Sequence, residues 1–383
     1  MRTVLLLLVL SISTSVSFAQ ETPKAPAAGV SEVRHLLYVA VPGIRDYSQY
    51  GGHGILVFDI DQGHKFVRRI LVPAMGTNAH TEAAKGICAS SATGRLYVSN
   101  TRSLTCLDLR TNAVVWEKTY ESGCDRMSIS PDGTTIYEPT LEGKFWHVIS
   151  GEDGQEIARI PTSAGAHNTI FSLDGKHAYL AALHSPMLTI ADAKTRTAQG
   201  TAGPFAAPIR PFTVNGAGTL CYVNVDGLLG FEIGDLVSGK KLFRVEVQGF
   251  PTGETKRHGC PSHGIGLTPD EKELWVTDAH NSRIHVFDNT VMPPRQTQSI
   301  ELRDQPGWIT FSIDGRFAYP STGEVIDVAS RKIVATLKDE HGQDVQSEKL
   351  LEIDFFGGKP IHAGDQFGLG RLMPAPALEK AAE

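Results

Sequence analysis

The segment ISPDGTTIY, at residues 129–137, holds the pattern that decides the fold: a short apolar strand, a Ser-x-Asp-Gly turn, and a second strand that carries an aromatic residue. Pro presets φ in such a turn, and Asp and Gly tolerate left-handed backbone positions, so the chain can reverse within a tight hairpin. The same turn recurs in altered form at residues 90–93, 172–175, 215–218, 268–271 and 312–315. The chain is therefore built from an internal repeat.

The aromatic residue of the second strand gives the period of this repeat. It stands at Tyr38, Tyr97, Tyr137, Tyr179, Tyr222, Trp275 and Tyr319. The intervals are 59, 40, 42, 43, 53 and 44 residues, so two repeats carry insertions. Short strands, Gly-rich turns and the lack of any long helical pattern predict an all-β, seven-bladed β-propeller with four strands in each blade.

The first repeat lacks an inner strand of its own, because Tyr38 follows closely on the N-terminal linker. Residues 350–355 form an apolar strand that belongs to no repeat. We expect this C-terminal strand to complete the first blade and close the ring, which hides strand edges that would otherwise promote aggregation. The predicted propeller spans residues 31–372, and residues 373–383 form a C-terminal tail.

The N-terminus has the features of an export signal. Arg2 gives a short positive start, residues 4–12 are apolar, and Ser17 and Ala19 are small residues where a signal peptidase would cleave. A retained anchor is the alternative, although this apolar stretch is too short to span a bilayer. We expect removal of residues 1–19, a flexible lead-in at 20–30, and a periplasmic or secreted protein with no membrane anchor after cleavage.

Charge and cysteine content narrow the function classes. The chain of 383 residues has a formal net charge of −6 and no long basic block, so unspecific nucleic-acid binding is not expected. We expect the protein to be a monomer, in which five cysteines leave at least one unpaired. Cys88, Cys106 and Cys221 fall in predicted strands, and a bridge between Cys124 and Cys260 is left open.

Two phrases point to a known family. LYVSN at residues 96–100 and LWVTD at residues 274–278 follow turns of the Ser-Pro-Asp-Gly type. They resemble the YVTN repeats of YncE-like propellers, and the resemblance extends over almost the whole mature chain. It implies the architecture but not one function, because this superfamily includes binding proteins, lactonases, lyases and redox proteins.

Two sets of equivalent positions are expected to open onto the same face of the propeller. The first set lies five residues before each turn serine or its equivalent: Lys85, Asp125, His167, Arg210, His263 and Gly307. The second set lies five residues after each strand-two aromatic: Gly43, Arg102, Glu142, His184, Gly227, His280 and Glu324. Ordinary strand positions would be apolar, so these largely polar residues indicate the mouth of the channel.

Two histidine pairs stand out among these positions. His167 and His184 are 17 residues apart in the fourth repeat, and His263 and His280 have the same spacing in the sixth. Arg210 belongs to the repeat between them, so we expect four imidazoles and a guanidinium around one side of a pocket. Solvent-exposed histidines, and an arginine paired with a carboxylate, are the plain alternatives.

Three insertions are expected to add to this face, at residues 42–54, 73–84 and 249–262, since long loops on one face of a repeat fold usually shape a binding site. The first carries Tyr47 and the second carries His80. The predicted ligand-binding residues are Lys85, Asp125, Arg126, His184, His280, Arg102 and His80.

A pocket rich in Arg, Lys and His suits an anionic small molecule or polysaccharide. One consistent chemistry is β-elimination on a uronate polysaccharide. Arg210 would neutralise the carboxylate, His167 or His263 would take the adjacent proton, and Tyr47 would protonate the leaving oxygen. The architecture resembles that of the propeller-type polysaccharide lyases, such as oligogalacturonate and ulvan lyases, but no motif specific to them is present.

Two other functions stay open. Neutral imidazoles favour zinc, manganese or copper, with Asp278 or Glu142 nearby, so a divalent metal is an alternative at the channel. A YncE-like module that binds a ligand or partner without catalysis is the other. The sequence contains no G-x-S-x-G elbow, no C-x-x-C-H haem site and no phosphate-cradling motif.

Overall fold

A computed structural model describes residues 33–77, 80–254 and 259–373. The predicted signal peptide at 1–19, the lead-in at 20–30 and all but the first residue of the tail at 373–383 lie outside the described residues. Seven four-stranded blade motifs, all antiparallel, make up the fold, which confirms the predicted all-β, seven-bladed propeller.

Each blade runs from an inner strand beside the channel to an outer strand at the rim. Blade 1 contains β1 (Arg34–Val41), β2 (Gly54–Asp59) and β3 (Lys65–Ile70), and a 3-10 turn (Pro73–Met75) and a small hairpin, β4 (Gly76–Thr77) with β5 (His80–Thr81), follow it. Blade 2 contains β6 (Ala84–Ser90), β7 (Arg95–Asn100), β8 (Ser103–Asp108) and β9 (Val114–Thr119). Blade 3 contains β10 (Ser128–Ile129), β11 (Thr135–Pro139), β12 (Phe145–Ser150) and β13 (Glu156–Pro161).

The remaining blades repeat this order. Blade 4 contains β14 (Ala166–Phe171), β15 (His177–Ala182), β16 (Leu188–Asp192) and β17 (Thr197–Ala202). Blade 5 contains β18 (Ile209–Val214), β19 (Leu220–Val225), β20 (Gly230–Asp235) and β21 (Lys240–Glu246). Blade 6 contains β22 (Ile265–Leu267), β23 (Glu273–Asp278), β24 (Arg283–Asp288) and β25 (Arg295–Glu301). Blade 7 contains β26 (Ile309–Phe311), β27 (Phe317–Pro320), β28 (Glu324–Asp327) and β29 (Lys332–Thr336).

The C-terminal strand closes the ring as the sequence predicted. β30 (Leu350–Phe356) pairs antiparallel with β1, so that Leu351 lies opposite Tyr38 and supplies the missing inner strand of blade 1. A further strand, β31 (Lys359–Ala363), pairs with β30 and makes this sheet five-stranded. The first and last parts of the fold are thereby joined by backbone hydrogen bonds within one blade.

The hydrophobic core lies between the blades, and the repeated aromatic residues explain its spacing. All seven are at most 2% exposed. Each belongs to the apolar cluster that its own blade shares with the next; Tyr97 packs with Cys124 of blade 3, and Tyr319 packs with Leu37 of blade 1. Tyr97 also donates a hydrogen bond to the carbonyl of Gly151, 2.9 Å away in blade 3. The period in the sequence is thus the period of the interfaces between blades.

The Ser-x-Asp-Gly turns adopt the geometry that their composition requires. Ser130 donates its hydroxyl hydrogen to Asp132 at 2.5 Å and accepts a hydrogen bond from the amide of Thr135 at 3.0 Å. Gly133 has a φ of 73°, where a side chain would be strained. These local bonds hold the inner and second strands in register.

The lower end of the channel is closed by the segment that follows β31. Residues 364–372 cross it, and the side chain of Gln366 donates to the carbonyl of Met127 in blade 3 at 3.2 Å. The carbonyl of Gly368 accepts a hydrogen bond of 2.7 Å from the hydroxyl of Thr213 in blade 5. The channel is therefore open at its upper end and blocked below.

The structure also answers the question of a disulfide. All five cysteines are buried and free, so Cys124 and Cys260 are not bridged. Burial raises the pKa of both thiols, which keeps them protonated and unreactive. No helix within the described parts of the chain is long and apolar enough to cross a membrane.

Candidate functional site

A cavity of about 540 Å³ opens at the upper end of the channel. The first residues of the inner strands form its wall, because each inner strand starts at the upper end of the channel and runs toward the lower end. Six of the residues that the sequence singled out line this cavity: Lys85, Arg126, Glu142, His167, Arg210 and His263. They come from blades 2 to 6, so the fold brings together side chains that are far apart in the sequence.

His167 and Asp125 form a buried pair at the wall of the cavity. The Nδ1 atom of His167 lies 2.6 Å from Oδ2 of Asp125, and the two residues are 7% and 0% exposed. Burial on its own would raise the pKa of Asp125, but His167, Lys85 and Arg126 outweigh it and lower that pKa to about 2. Asp125 is therefore ionised and accepts the Nδ1–H, which leaves Nε2 as the basic nitrogen of His167.

Two further groups hold Asp125 in place. Its amide donates to Oε1 of Glu138, a fully buried residue of β11, at 2.7 Å. Burial, with a smaller repulsion from Asp125, raises the pKa of Glu138. Lys85 approaches the other Asp125 oxygen at 3.7 Å, a longer contact than a direct hydrogen bond. The hydrogen bond to Glu138 thus fixes the backbone of Asp125, and His167 and Lys85 contact its two carboxylate oxygens.

A second charged group, which the sequence analysis missed, forms the blade 1 side of the cavity. Arg126 donates to Glu348 at 2.5 Å and stacks over the ring of Trp308 at 4.6 Å. The same Glu348 carboxylate accepts from the ammonium of Lys349 at 2.7 Å, and this ammonium also donates to the carbonyl of Gly43 at 3.0 Å. Glu348 and Lys349 directly precede β30, so the predicted inner strand at 350–355 was the signal that could have identified them.

The environment of Lys349 disfavours its charge. Its side chain is 4% exposed, and burial, with added repulsion from Arg126 and Lys85, lowers its pKa to about 7. Glu348 opposes this effect but does not cancel it. A lysine that titrates near neutrality beside an accessible cavity can accept or donate a proton under ordinary conditions.

Arg210 and His263 face the cavity from blades 5 and 6. Arg210 donates through Nε to Asp226 at 2.5 Å and through Nη2 to the carbonyl of Gly259 at 3.3 Å. His263 lies 2.9 Å through Nδ1 from the carbonyl of Gly307. Because a carbonyl can only accept, Nδ1 of His263 carries the proton, and the ring is fixed in orientation.

Four predicted site residues lie away from the cavity wall. His184 is exposed on the rim, with its amide bound to the carbonyl of Ala164. His280 is also exposed, and its Nδ1 lies 3.3 Å from the carbonyl of Glu254. Of the four imidazoles expected together, the structure places only His167 and His263 on the cavity wall.

The other two are Arg102 and Tyr47. The Arg102 side chain is 77% exposed and reaches Glu82 at 3.7 Å. Tyr47 packs edge-on against Tyr50 with ring centroids 6.3 Å apart, and it does not line the cavity. His80 lies in β5, and its side chain falls outside the described residues.

A metal at the channel finds little support in this arrangement. Within the described residues, no three His, Cys, Asp or Glu side chains of the upper cavity come close enough to share one ion. Asp278, a predicted ligand, is fully buried and bound to His285 at 3.0 Å and to Asn281 at 2.7 Å. Glu142 lines the cavity, but among the residues that the structure describes it belongs to no group of three side chains that could share an ion.

Comparisons with known proteins were made at the level of sequence and of structure. No protein-family model and no curated protein sequence matches the chain. Among solved structures, a chain of Kuenenia stuttgartiensis hydrazine synthase aligns over 65% of this chain and 94% of its own, with a TM-score of 0.44 and 15% identity. A likeness at that level carries no argument about fold or function, and the architecture rests on the structure itself. The protein is a seven-bladed β-propeller, and its membership of the YncE-like family stays a prediction.

Proposed function

We propose that this protein is exported and binds an anionic, carboxylate-bearing carbohydrate in the upper cavity, where it cleaves uronate polysaccharides by β-elimination. The observation that carries the proposal is the His167–Asp125 pair at the wall of a cavity whose lower end is closed. A buried carboxylate that holds Nδ1–H of a histidine is an established way to orient a general base.

Lys85 is the cation best placed to receive the substrate carboxylate. The side chain of Lys85 is 25% exposed. Its ammonium lies 3.7 Å from Asp125, so it is less tightly held than the two arginines. Arg210 uses two of its five N–H donors on Asp226 and Gly259, and the rest of its fork can bind a second oxygen. Neutralising the carboxylate makes the neighbouring C–H more acidic.

The chemical step then balances with the groups of this chain. Nε2 of His167 takes the proton from the carbon beside the carboxylate, and the electrons of that C–H bond form a C=C double bond. The C–O bond to the leaving sugar breaks, and its oxygen takes a proton from Nε2 of His263, which enters the step as the doubly protonated imidazolium because Nδ1–H is held by the Gly307 carbonyl. This role was predicted for Tyr47, which lies outside the cavity wall, and His263 replaces it in the proposal because it lines the cavity.

A ligand-binding propeller without catalysis is the second candidate. It is favoured by the internal pairing of both arginines, Arg126 with Glu348 and Arg210 with Asp226. Such pairs give a rigid polar wall that can select a ligand by hydrogen bonding. A binding function of this kind requires the cavity but no proton transfer by His167.

An ultraviolet absorbance assay separates the two functions. The purified protein is mixed with a panel of uronic-acid polysaccharides, and formation of the unsaturated uronate is followed over time. We expect activity in the wild type and a loss of about 10²- to 10⁴-fold in His167→Ala, the usual contribution of a general base. His184→Ala is the matched control, since this histidine belongs to the same blade but lies on the exposed rim.

The outcomes are distinct. Absorbance that rises with the wild type and His184→Ala but not with His167→Ala supports the lyase. A flat trace on every polymer, together with measurable binding of one of them, supports the binding propeller. Equal activity in the wild type and in His167→Ala would show that this histidine is not the base.

A further inference from the structure

The closure of the ring creates a row of polar side chains at the lower end of blade 1. In the β-sheet register, His35 of β1 lies opposite Asp354 of β30, and Asp354 lies opposite His362 of β31. Residues directly opposite in neighbouring strands share one face of the sheet. Glu352 is two positions along β30 and therefore points to the same face as Asp354.

Three of these side chains converge on one point. His35, Glu352 and Asp354 each offer a ligand atom, and all of these atoms lie within 4.8 Å of one another. Glu352 and Asp354 are 2% and 4% exposed. Two buried carboxylates this close repel each other unless a proton or a cation lies between them.

The described part of the chain places no lysine or arginine against these two carboxylates. Neither carboxylate forms an ion pair with a lysine or arginine among the described residues, and the ion pair that Asp354 does form there is with His362, at 3.1 Å. That bond uses Oδ2, whereas Oδ1 of Asp354 is buried and has no hydrogen-bond partner within the described part of the chain. An unpartnered buried carboxylate oxygen that faces a histidine and a second acid is typical of a cation site.

His35 is oriented for such a role. Its Nδ1 lies 2.8 Å from Oδ1 of Asp61, and its backbone amide donates to the other oxygen of the same carboxylate at 2.9 Å. A carboxylate that accepts Nδ1–H leaves Nε2 as the ligand nitrogen, as is usual for metal-bound histidines. Glu352 is fixed in turn by the amide of Ile313 in blade 7, which donates to it at 2.7 Å.

We propose that His35, Glu352 and Asp354 bind a divalent transition-metal ion, with Zn²⁺ the best match to one imidazole and two carboxylates. The ion would cross-link β1 to β30 and thereby stabilise the contact between the first and last parts of the ring. Asp61 and His362 act as supporting residues that orient His35 and Asp354. This site is separate from the upper cavity and does not depend on the lyase proposal.

Titration with Co²⁺, a spectroscopic stand-in for Zn²⁺, tests the proposal on the full chain without a histidine tag. We expect one equivalent to give visible d–d absorption bands, Zn²⁺ to remove them by competition, and Zn²⁺ to raise the melting temperature by binding the folded state. In Asp354→Asn both the bands and the shift in melting temperature should be lost. His341→Ala, an exposed histidine of another blade, is the control and should behave as the wild type.

A second variant keeps the test informative if Asp354→Asn fails to fold. Asp61→Asn changes a half-exposed side chain that does not touch the ion, and it should weaken Co²⁺ binding about 10- to 100-fold. Wild-type protein that binds no Co²⁺, or folded Asp354→Asn and Asp61→Asn that bind it with wild-type affinity, would overturn the proposal.

Discussion

At the scale of single residues, the upper cavity keeps charged groups buried that would be more stable in water. Lys349 is the clearest case, because its ammonium is buried near the positive charges of Arg126 and Lys85. The carboxylate of Glu348 stabilises that ammonium but does not offset its burial. The pKa of Lys349, about 7 in the folded state, lies below the 10.5 of an unperturbed lysine. At this site the unfolded chain therefore binds more protons than the folded chain between these two values, and the contribution of Lys349 to stability rises with pH in that window.

The pH dependence of unfolding tests this directly. The difference in unfolding free energy between the wild type and Lys349→Met should shift in favour of the wild type by about 2 kcal/mol from about pH 7 to pH 9, since one pKa unit corresponds to about 1.4 kcal/mol. Urea denaturation at a series of pH values measures the difference. Lys194→Met removes an exposed lysine and serves as the control, with no change of slope. Parallel curves for the wild type and Lys349→Met would contradict the account.

The sequence identified part of the site at this scale, for a physical reason. Lys85, Arg126, His167, Arg210 and His263 stand at the starts of inner strands, and those starts form the cavity wall. His184 and His280 stand instead in turns after the second strand, which the fold places on the exposed rim. Spacing from an aromatic residue predicts the blade and the face, but it does not distinguish the wall of the channel from its rim.

At the scale of elements, β30 decides whether the ring can close. Without it, β1 would lose the partner that pairs with six of its residues, from Arg34↔Phe355 to Val39↔Leu350, and would expose a buried strand edge. The prediction of this strand rested on a missing partner in blade 1, which is why it could be made from the sequence.

Truncation before Leu350 should prevent folding. We expect such a chain to be aggregated or to lack a cooperative thermal transition, because blade 1 loses its inner strand. Truncation after Met373 leaves every described strand in place and is the matched control, with a melting temperature close to that of the full chain. Circular dichroism and size-exclusion chromatography provide the readouts. A soluble, cooperatively melting chain that ends before Leu350 would show that β30 is dispensable.

The segment at residues 364–372 is the element that the sequence did not reveal. It has no repeat period, and its bonds go to inner strands of several blades, such as Thr213 in blade 5 and Met127 in blade 3. Its anchor is Phe367, which is 3% exposed and packs 5.9 Å from the ring of Trp308.

Removal of that anchor should be costly. Phe367→Ala deletes a buried aromatic ring and should lower the unfolding free energy by about 3–5 kcal/mol. Leu372→Ala, in the same segment but 54% exposed, should change it by less than about 0.5 kcal/mol. Chemical denaturation of both variants measures the difference. Similar values for the two would mean that the segment does not close the channel through Phe367.

At the scale of the whole molecule, seven repeats predict the architecture because every blade interface uses the same aromatic position. The function is not encoded in that period. It depends on which polar side chains the individual blades place on the cavity wall, and on charges such as Glu348 and Lys349 that come from the chain closure rather than from a repeat. We propose that this wall receives an anionic sugar acid.

Isothermal titration calorimetry with an oligouronate tests that claim most directly. The account predicts one binding site per chain, weakened by salt, and an affinity about 10- to 100-fold lower in Lys85→Met, which removes a charged hydrogen-bond donor from the cavity. Arg102→Met removes a cation that lies outside the cavity wall, and it should bind as the wild type. The absence of binding by the wild type, or an equal loss in Lys85→Met and Arg102→Met, would contradict the account.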